Sequence, residues 1–472
     1  MRASGLGALW SARGRSELGA TARLSAPLVV GQLASMGMNV VVTVLAGRDD
    51  TATLAAIGVG APAWSVVILL CIGVLMAVPP TVAQLVGGGR RAEVGAVARQ
   101  GLWLALGLGL GLFLLIRAAP GLLAQFIDPA LMPGVRAYLW GIGWGAPALA
   151  LYFALRYVAE GVAWTVPTML VGAGGLALLP FLGQALMLGS GPLPALGAGG
   201  LGLAVALVLW LQVLAMALTL WRSRRCADLG LFTRFDLPRP RVIGRLLRLG
   251  VPMGLAIFME GSLFVATALL IATLGPLPIA AHQVAILAAS VAFMVPLGVA
   301  MGTTVRVGLA AGAGDAEGVR WAARAGWGLG LATQTASALL LASGGAAIAG
   351  LISRDPAVVA LAAPLMLLAA VFQYADGLQA ISGGALRGLK DTRIPALVTV
   401  FSYWGVGLPT GVLLGGVGGA GGALLFGLGW GPTGYWIGLI LGLSVAAVLL
   451  TWRFLSRSSR DLRPVTASHE KG

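Results

Sequence analysis

The chain has 472 residues, 58% of them hydrophobic and only 10% charged, with a mean hydropathy of +0.93, against roughly a quarter charged in soluble domains. That balance excludes a soluble globular domain and marks a polytopic membrane protein. The formal net charge of +15 does not point to nucleic acid, because Lys and Arg sit in short clusters between apolar runs and form no stripe interleaved with aromatics.

Crossing the hydrocarbon takes about 20 apolar residues. Twelve such stretches follow one another, at about 25–47, 53–86, 95–118, 132–155, 165–189, 196–221, 247–274, 278–305, 321–347, 357–386, 394–416 and 422–452. Backbone polar groups in lipid must be satisfied within the segment, so spans of this length are helices and not barrel strands. Small residues at close spacing, as in LGLGLGLF at 106–113, allow tight helix packing. Ahead of the first span, residues 1–23 carry Arg2, Arg13, Arg15 and Arg23 and read as a cytoplasmic tail before an uncleaved helix. With that orientation all basic residues except Arg48, Arg117, Arg136 and Arg354 fall on the inner side, as the positive-inside rule requires. A missed helix would invert every later loop, so the charge pattern also supports the span count. Both termini are then cytoplasmic, with a tail at 457–472, and anionic lipid is a partner compatible with the basic loops. Cys71 and Cys226 have no metal-ligand spacing and imply no disulfide framework.

The longest polar connection lies at 222–246 and divides the chain into a half at 24–221 and a half at 247–456, six helices each. The halves repeat at an offset of about 225 residues. Pro27 in LSAPLVVG matches Pro252 in RLGVPMG, and Pro167 and Pro180 match Pro395 and Pro409. Six is even, so both halves enter the membrane in the same direction, as parallel repeats about an axis along the membrane normal. The expected architecture is all-α, twelve transmembrane helices in two pseudo-symmetric lobes around a central cavity, the arrangement of an alternating-access transporter.

Acidic residues are few, and fourteen of the 16 fall in tails, loops or helix ends. Two do not. Glu260, in FMEGSLF, is the only charge in residues 249–305, and Asp376, in VFQYADGLQA, is the only one between Asp355 and Arg387. A carboxylate stranded in hydrocarbon costs roughly 2.5–3.5 kcal/mol or more, which calls for a reason. With no Lys or Arg expected inside these spans, the alternatives are a protonated acid bonding a neighbouring helix, or a carboxylate that binds a cation or exchanges a proton. Helical spacing sets Phe264 and Thr267 on the Glu260 face, and Phe372 and Gln373 beside Asp376. Aromatic and Met side chains, Phe258, Met259, Phe264, Phe372 and Tyr374 among them, suit an adaptable lining for organic cations.

Several stretches, in order and at their spacing, resemble the NorM-like bacterial branch of the multidrug and toxic compound extrusion (MATE) transporters over about residues 20–455. They are MAVPPTVAQLVGGGR (76–90), LPALGAGGLGLA (193–204), LRLGVPMGLAIFMEGSLF (247–264), AAHQVA (280–285), FQYADGLQAISGGALRGLKDTRIP (372–395) and YWGVGLPTG (403–411). The resemblance implies two six-helix lobes in a cell inner membrane, acting as a monomer. It also implies outward transport of cationic or amphipathic organic compounds against inward Na+ or H+. It sets Glu260 and Asp376 on the family's coupling-ion acids, which would hold Na+ if the transporter is sodium-coupled, and Gln283 on a polar position of that site. His282 reads as structural. One departure stands out: the first helix runs MNVVVTVLAG, with Val42 where the family carries an acid, and LLPFLGQ (178–184) has Leu178 and Leu182 where asparagines are typical. Asn39 and Gln184 are polar but do not ionise, so the C-terminal half is expected to carry the coupling.

Two other readings compete. A flippase for lipid-linked oligosaccharides would need cationic residues in its cavity. A membrane-embedded enzyme would need a motif such as HExxH or a paired-His metal site, and only His282 and His469 are present. No GxxxxGK[ST] loop supplies an ATP site, and no cofactor is expected.

Overall fold

The computed structural model describes residues 11–189, 194–418 and 424–458, so the expected C-terminal tail from 459 and the first ten residues lie outside the described part. Among the described residues twelve helices are long and apolar enough to cross a membrane: α1 Ala12–Arg48, α2 Thr51–Gly87, α3 Arg91–Leu123, α4 Met132–Gly161, α5 Val166–Leu188, α6 Gly197–Arg222, α7 Pro240–Ala272, α8 Pro276–Gly312, α9 Ala316–Ile352, α10 Pro356–Gly388, α11 Arg393–Gly415 and α12 Pro432–Ser458. A short antiparallel pair, β1 Val417–Gly418 and β2 Leu424–Phe426, precedes α12.

Helix ends follow local chemistry. Asp50, Asp315 and Asp355 cap α2, α9 and α10, accepting from the backbone N–H of Thr53, Gly318 and Ala357, so their carboxylates satisfy donors that a helix start leaves open. Proline sits at the first turn of α5, α8 and α10, where its missing N–H costs nothing. Prolines interrupt two of the helices and are accommodated inside others, such as Pro27 of α1 and Pro296 of α8. Helix α2 is interrupted at Met76–Ala77 ahead of Pro79 and Pro80, and α4 at Trp144 ahead of Pro147.

Three sequence expectations need correcting. The sequence places the twelfth span from 422, but the helix begins at Pro432, because Leu424–Phe426 is a strand and the backbone then turns at positive φ at Gly427, Gly429 and Gly431. Helix α1 begins at Ala12, inside the expected tail, and α7 begins at Pro240, inside the expected connection. The rest of that connection is held down: Arg91 and Arg99 form ion pairs with Asp228 and Asp236, and Trp103 Nε1 donates to the Asp236 carbonyl at 2.8 Å.

The chain forms two compact units, one of residues 30–254, the other of the N-terminal segment up to residue 29 with residues 255–472. The start of α7 therefore packs in the first unit. There Gly73 of α2 and Gly254 of α7 meet so closely that a Cβ on Gly73 would collide with the Gly254 Cα. Gly73→Leu is expected to cost about 1–3 kcal/mol through overpacking, read as a lower Tm in detergent. The start of α1 packs in the second unit, where Glu17 pairs with Arg306 and Arg13 with Glu317.

The Arg91 guanidinium holds the Asp228 carboxyl below the usual carboxylate range. A depressed carboxyl stabilises the folded state above its ordinary titration range, and that contribution fades as pH falls through the lowered value. The pair is partly exposed, so it is worth no more than about 1 kcal/mol. Asp228→Asn at neutral pH is expected to speed trypsin cleavage after Arg224 or Arg225 without lowering the Tm measurably.

Candidate functional site

Every described carboxylate whose side-chain placement is defined has a local job, apart from two. Glu17, Glu93, Glu160, Asp228, Asp236, Glu317 and Asp391 pair with arginines; Asp50, Asp315 and Asp355 cap helices; and Asp128 accepts from the Ala130 N–H. Glu260 and Asp376 neither cap a helix nor join an ion pair among the described residues. Both lie well inside their helices, α7 and α10, in the same unit, and Asp376 is within electrostatic reach of Glu260. Asp376 is buried, and its Oδ1 has no hydrogen-bond partner.

Apolar packing of the unit builds the walls. Phe264 of α7 meets Phe372 of α10 with ring centroids 6.1 Å apart, Phe372 meets Trp436 of α12 at 5.6 Å, and Trp436 meets His282 of α8 at 5.9 Å. All three contacts are edge-on, the favoured arrangement of aromatic quadrupoles. His282 is buried in this stack with Nδ1 unpartnered. Gln373 is locked as a brace: it accepts from Gln334 Nε2 at 2.9 Å and donates to the Ala289 carbonyl at 3.2 Å, tying α10 to α9 and α8. Tyr374 points elsewhere, partly exposed, its hydroxyl donating to Thr335 Oγ1 at 3.3 Å. Gln283 is exposed while its neighbour His282 is buried, and Phe258 is exposed as well. Asn39 is exposed on α1 and belongs to the other unit, and Val42 is buried.

Sequence reasoning missed three features. First, the spans do contain arginine. Arg387 lies within electrostatic reach of Glu260, against the expectation that no cation stands near the two acids. Second, Arg156 and Glu160, assigned from sequence to a loop and a helix end, are buried in α4 as an ion pair, Arg156 Nε to Glu160 Oε1 at 2.6 Å. Gln32 of α1 accepts from Arg156 at 2.8 Å, and Thr168 of α5 donates to Glu160 at 3.3 Å. Their i,i+4 spacing was the available signal. Third, buried polar atoms without partners accumulate in the unit that holds the acids. Besides Asp376 Oδ1 they include Ser402 Oγ and Trp436 Nε1. Buried polar groups are nearly always bonded, so each of these atoms stands out. Acceptor oxygens suit a hard cation such as Na+, and carboxyls suit a proton. Among the described residues no three His, Cys, Asp or Glu side chains gather to hold a metal ion.

Comparisons with known proteins agree with the twelve-helix fold. The MatE family model matches residues 27–186 and 252–413, once in each half of the chain. A protein of Xanthomonas campestris pv. campestris named "Probable multidrug resistance protein NorM" is 49% identical over 446 residues, covering 94% of this chain and 95% of that protein. The multidrug resistance protein PmpM of Pseudomonas aeruginosa is 40% identical over 450 residues, covering 94% and 92%. Among solved structures, the eukaryotic MATE transporter AtDTX14 superposes with a TM-score of 0.83 at 20% identity, covering 95% of this chain and 98% of that one. An outward-facing multidrug resistance MATE transporter of the MOP superfamily gives 0.83 at 20%, covering 97% and 99%. Two matched halves, twelve helices and relatives aligned over nearly their whole length lead to one conclusion: the chain belongs to the MatE family, as a NorM-like MATE transporter.

Proposed function

We propose that this multidrug efflux transporter moves cationic or amphipathic organic compounds outward in exchange for inward Na+ or H+, with Glu260 and Asp376 as the carboxylates that bind the coupling ion. The observation that carries the reading is the pairing of these two acids. Among the described carboxylates whose side-chain placement is defined, they alone neither cap a helix, pair with an arginine nor accept from a nearby backbone N–H, and they stand in electrostatic reach of each other within one unit. If the coupling ion and the organic cation compete for the same two carboxylates, binding of one expels the other. The membrane potential adds about 2.3 kcal/mol per unit charge per 100 mV to the inward step. Phe264 and Phe372, each one helical turn from Glu260 and Asp376 along their helices, supply aromatic rings suited to an organic cation. Relatives named as multidrug resistance proteins favour export over the flippase alternative.

The basic inner loops support a multi-pass protein of the cell inner membrane with both termini in the cytoplasm. The protein works as a monomer surrounded by lipid, without nucleic acid, resident cofactor or enzymatic step. The test is export of a fluorescent organic cation from reconstituted vesicles, driven by a sodium gradient and separately by a pH gradient. Transport under neither gradient would overturn antiport.

A further inference from the structure

The connection between α6 and α7 is strapped to α3. The chain leaves α6 at Arg222, makes a 3-10 turn at Ala227–Leu229 and reverses at Gly230, whose φ of +58° suits glycine. Gly95 of α3 lets this turn seat, since a Cβ there would collide with the Leu229 carbonyl. Further along, the Gln100 amide donates to the Leu237 carbonyl at 2.9 Å and accepts from the Arg239 N–H at 2.6 Å. These ties stand beside the contacts that Arg99 and Trp103 make to Asp236.

What the strap leaves exposed is apolar and basic. Leu229 and Leu231 are buried, but Phe235 is 79% and Leu237 71% exposed, and Phe232 is exposed as well. Eight arginines lie between 222 and 248. Arg225 stacks on Trp164, and Arg239 leans on Asp236. Arg222, Arg224, Arg234, Arg241, Arg245 and Arg248 are exposed and, among the described residues, join no ion pair. The two acids of the connection, Asp228 and Asp236, are taken by Arg91 and Arg99, so the uncompensated charge is positive. Arg241, Arg245 and Arg248 follow at i, i+4 and i+7 along the first turns of α7, on one helical face. Strap and stripe belong to the same compact unit.

Helix length sets the level of the strap. The 33 residues of α3 rise about 50 Å, against about 30 Å of hydrocarbon. With the excess shared between its ends, Arg99–Trp103, about 12–18 Å from the start of the helix, stand where hydrocarbon gives way to headgroups. Tryptophan favours that level. Exposed Phe and Leu held there suit acyl chains, and arginine forks beside them suit phosphate.

We propose that residues 232–248 form an interfacial docking surface for anionic phospholipids, with Phe232, Phe235 and Leu237 entering the boundary and the Arg241–Arg245–Arg248 stripe holding headgroup phosphates. The uncompensated positive charge commits the partner to a net negative headgroup, because each arginine near the surface adds to the attraction. The positive-inside bias accounts for the sign of these residues. It does not account for an aromatic and apolar loop pinned open among them.

The full-length protein in vesicles of phosphatidylglycerol and phosphatidylcholine in equal parts tests this by electron spin resonance. Cys71 and Cys226 are buried, so a nitroxide on Phe235→Cys reports depth against the background of the unsubstituted chain. It is expected to collide with oxygen and to be shielded from an aqueous nickel chelate. Free access of the chelate overturns the proposal. Shielding from both reagents would mean that a second copy covers the face, and overturns it too. In a separate measurement, spin-labelled phosphatidylglycerol should be favoured over spin-labelled phosphatidylcholine at the protein boundary by about threefold. Arg241→Gln, Arg245→Gln and Arg248→Gln together should lower that preference by about half, whereas Lys at the same three positions should keep it. A preference unchanged in the Gln variant overturns the assignment. If that variant does not insert, the parent decides: its preference must fall at about 1 M salt, where the screening length is about 3 Å, and a preference that survives overturns the proposal.

Discussion

Glu260→Gln and Asp376→Asn, each alone, are expected to reduce gradient-driven export by about two orders of magnitude, equivalent to about 2.7 kcal/mol on the transport cycle. Each substitution keeps size and hydrogen-bonding capacity while removing the charge, so the fold should survive, with Tm close to the parent for Asp376→Asn. Loss of transport without loss of stability separates a coupling carboxylate from a packing acid, whose neutral isostere would leave transport intact. The two variants need not behave alike. Arg387 is in reach of Glu260, so Glu260→Gln also leaves an arginine without part of its negative neighbourhood, and a second effect on stability is expected there. The double variant should be no worse in transport than the worse single, because two carboxylates serving one ion act as a unit. Export rates of a fluorescent cation in vesicles, with a pH jump and a sodium jump applied separately, give the measurement. A single variant that retains most of its export would remove that acid from the mechanism.

The second large effect falls on stability. Arg156→Met strands Glu160 in the interior of the first unit without its partner, at an expected cost of about 3–5 kcal/mol. The pair is almost wholly buried and bridges three helices through Gln32 and Thr168. Replacing both, as Arg156→Met with Glu160→Leu, should recover most of the loss, because a buried ion pair exchanged for apolar side chains of similar volume is often neutral. Thermal unfolding in detergent is the readout. A single variant as stable as the parent would mean that the pair is hydrated in the membrane. The double variant also asks whether α1 needs its polar tie to α4. If export falls while stability recovers, the tie has a role beyond holding the fold.

The helices were legible because a membrane leaves few options: length, hydropathy and the bias of basic loops gave twelve spans, and all twelve appear as helices. Glu260 and Asp376 were legible for the same reason, since charge is rare there and stands out. Arg156 and Glu160 were misread because they lie near the end of a span, where sequence cannot tell a solvated end from a buried one. Arg387 was set aside as an inner-loop residue, although its long side chain has reach beyond its backbone position. The start of α12 was misplaced because glycines raise no objection to a hydrophobicity count and yet adopt backbone angles that end a helix.

The division of the chain into units has a consequence for how it is made. The six-helix halves seen in the sequence differ from the compact units, since residues 240–254 belong to the first unit and the segment up to residue 29 to the second. Chains emerge from the ribosome N-terminus first at about 5–20 residues per second. The first unit therefore cannot close when its sixth helix is complete; it must wait for the opening turns of the seventh. The segment made earliest stays without its packing partners until α8 and α9 arrive. A ribosome stalled between α6 and α7 would leave both units unfinished.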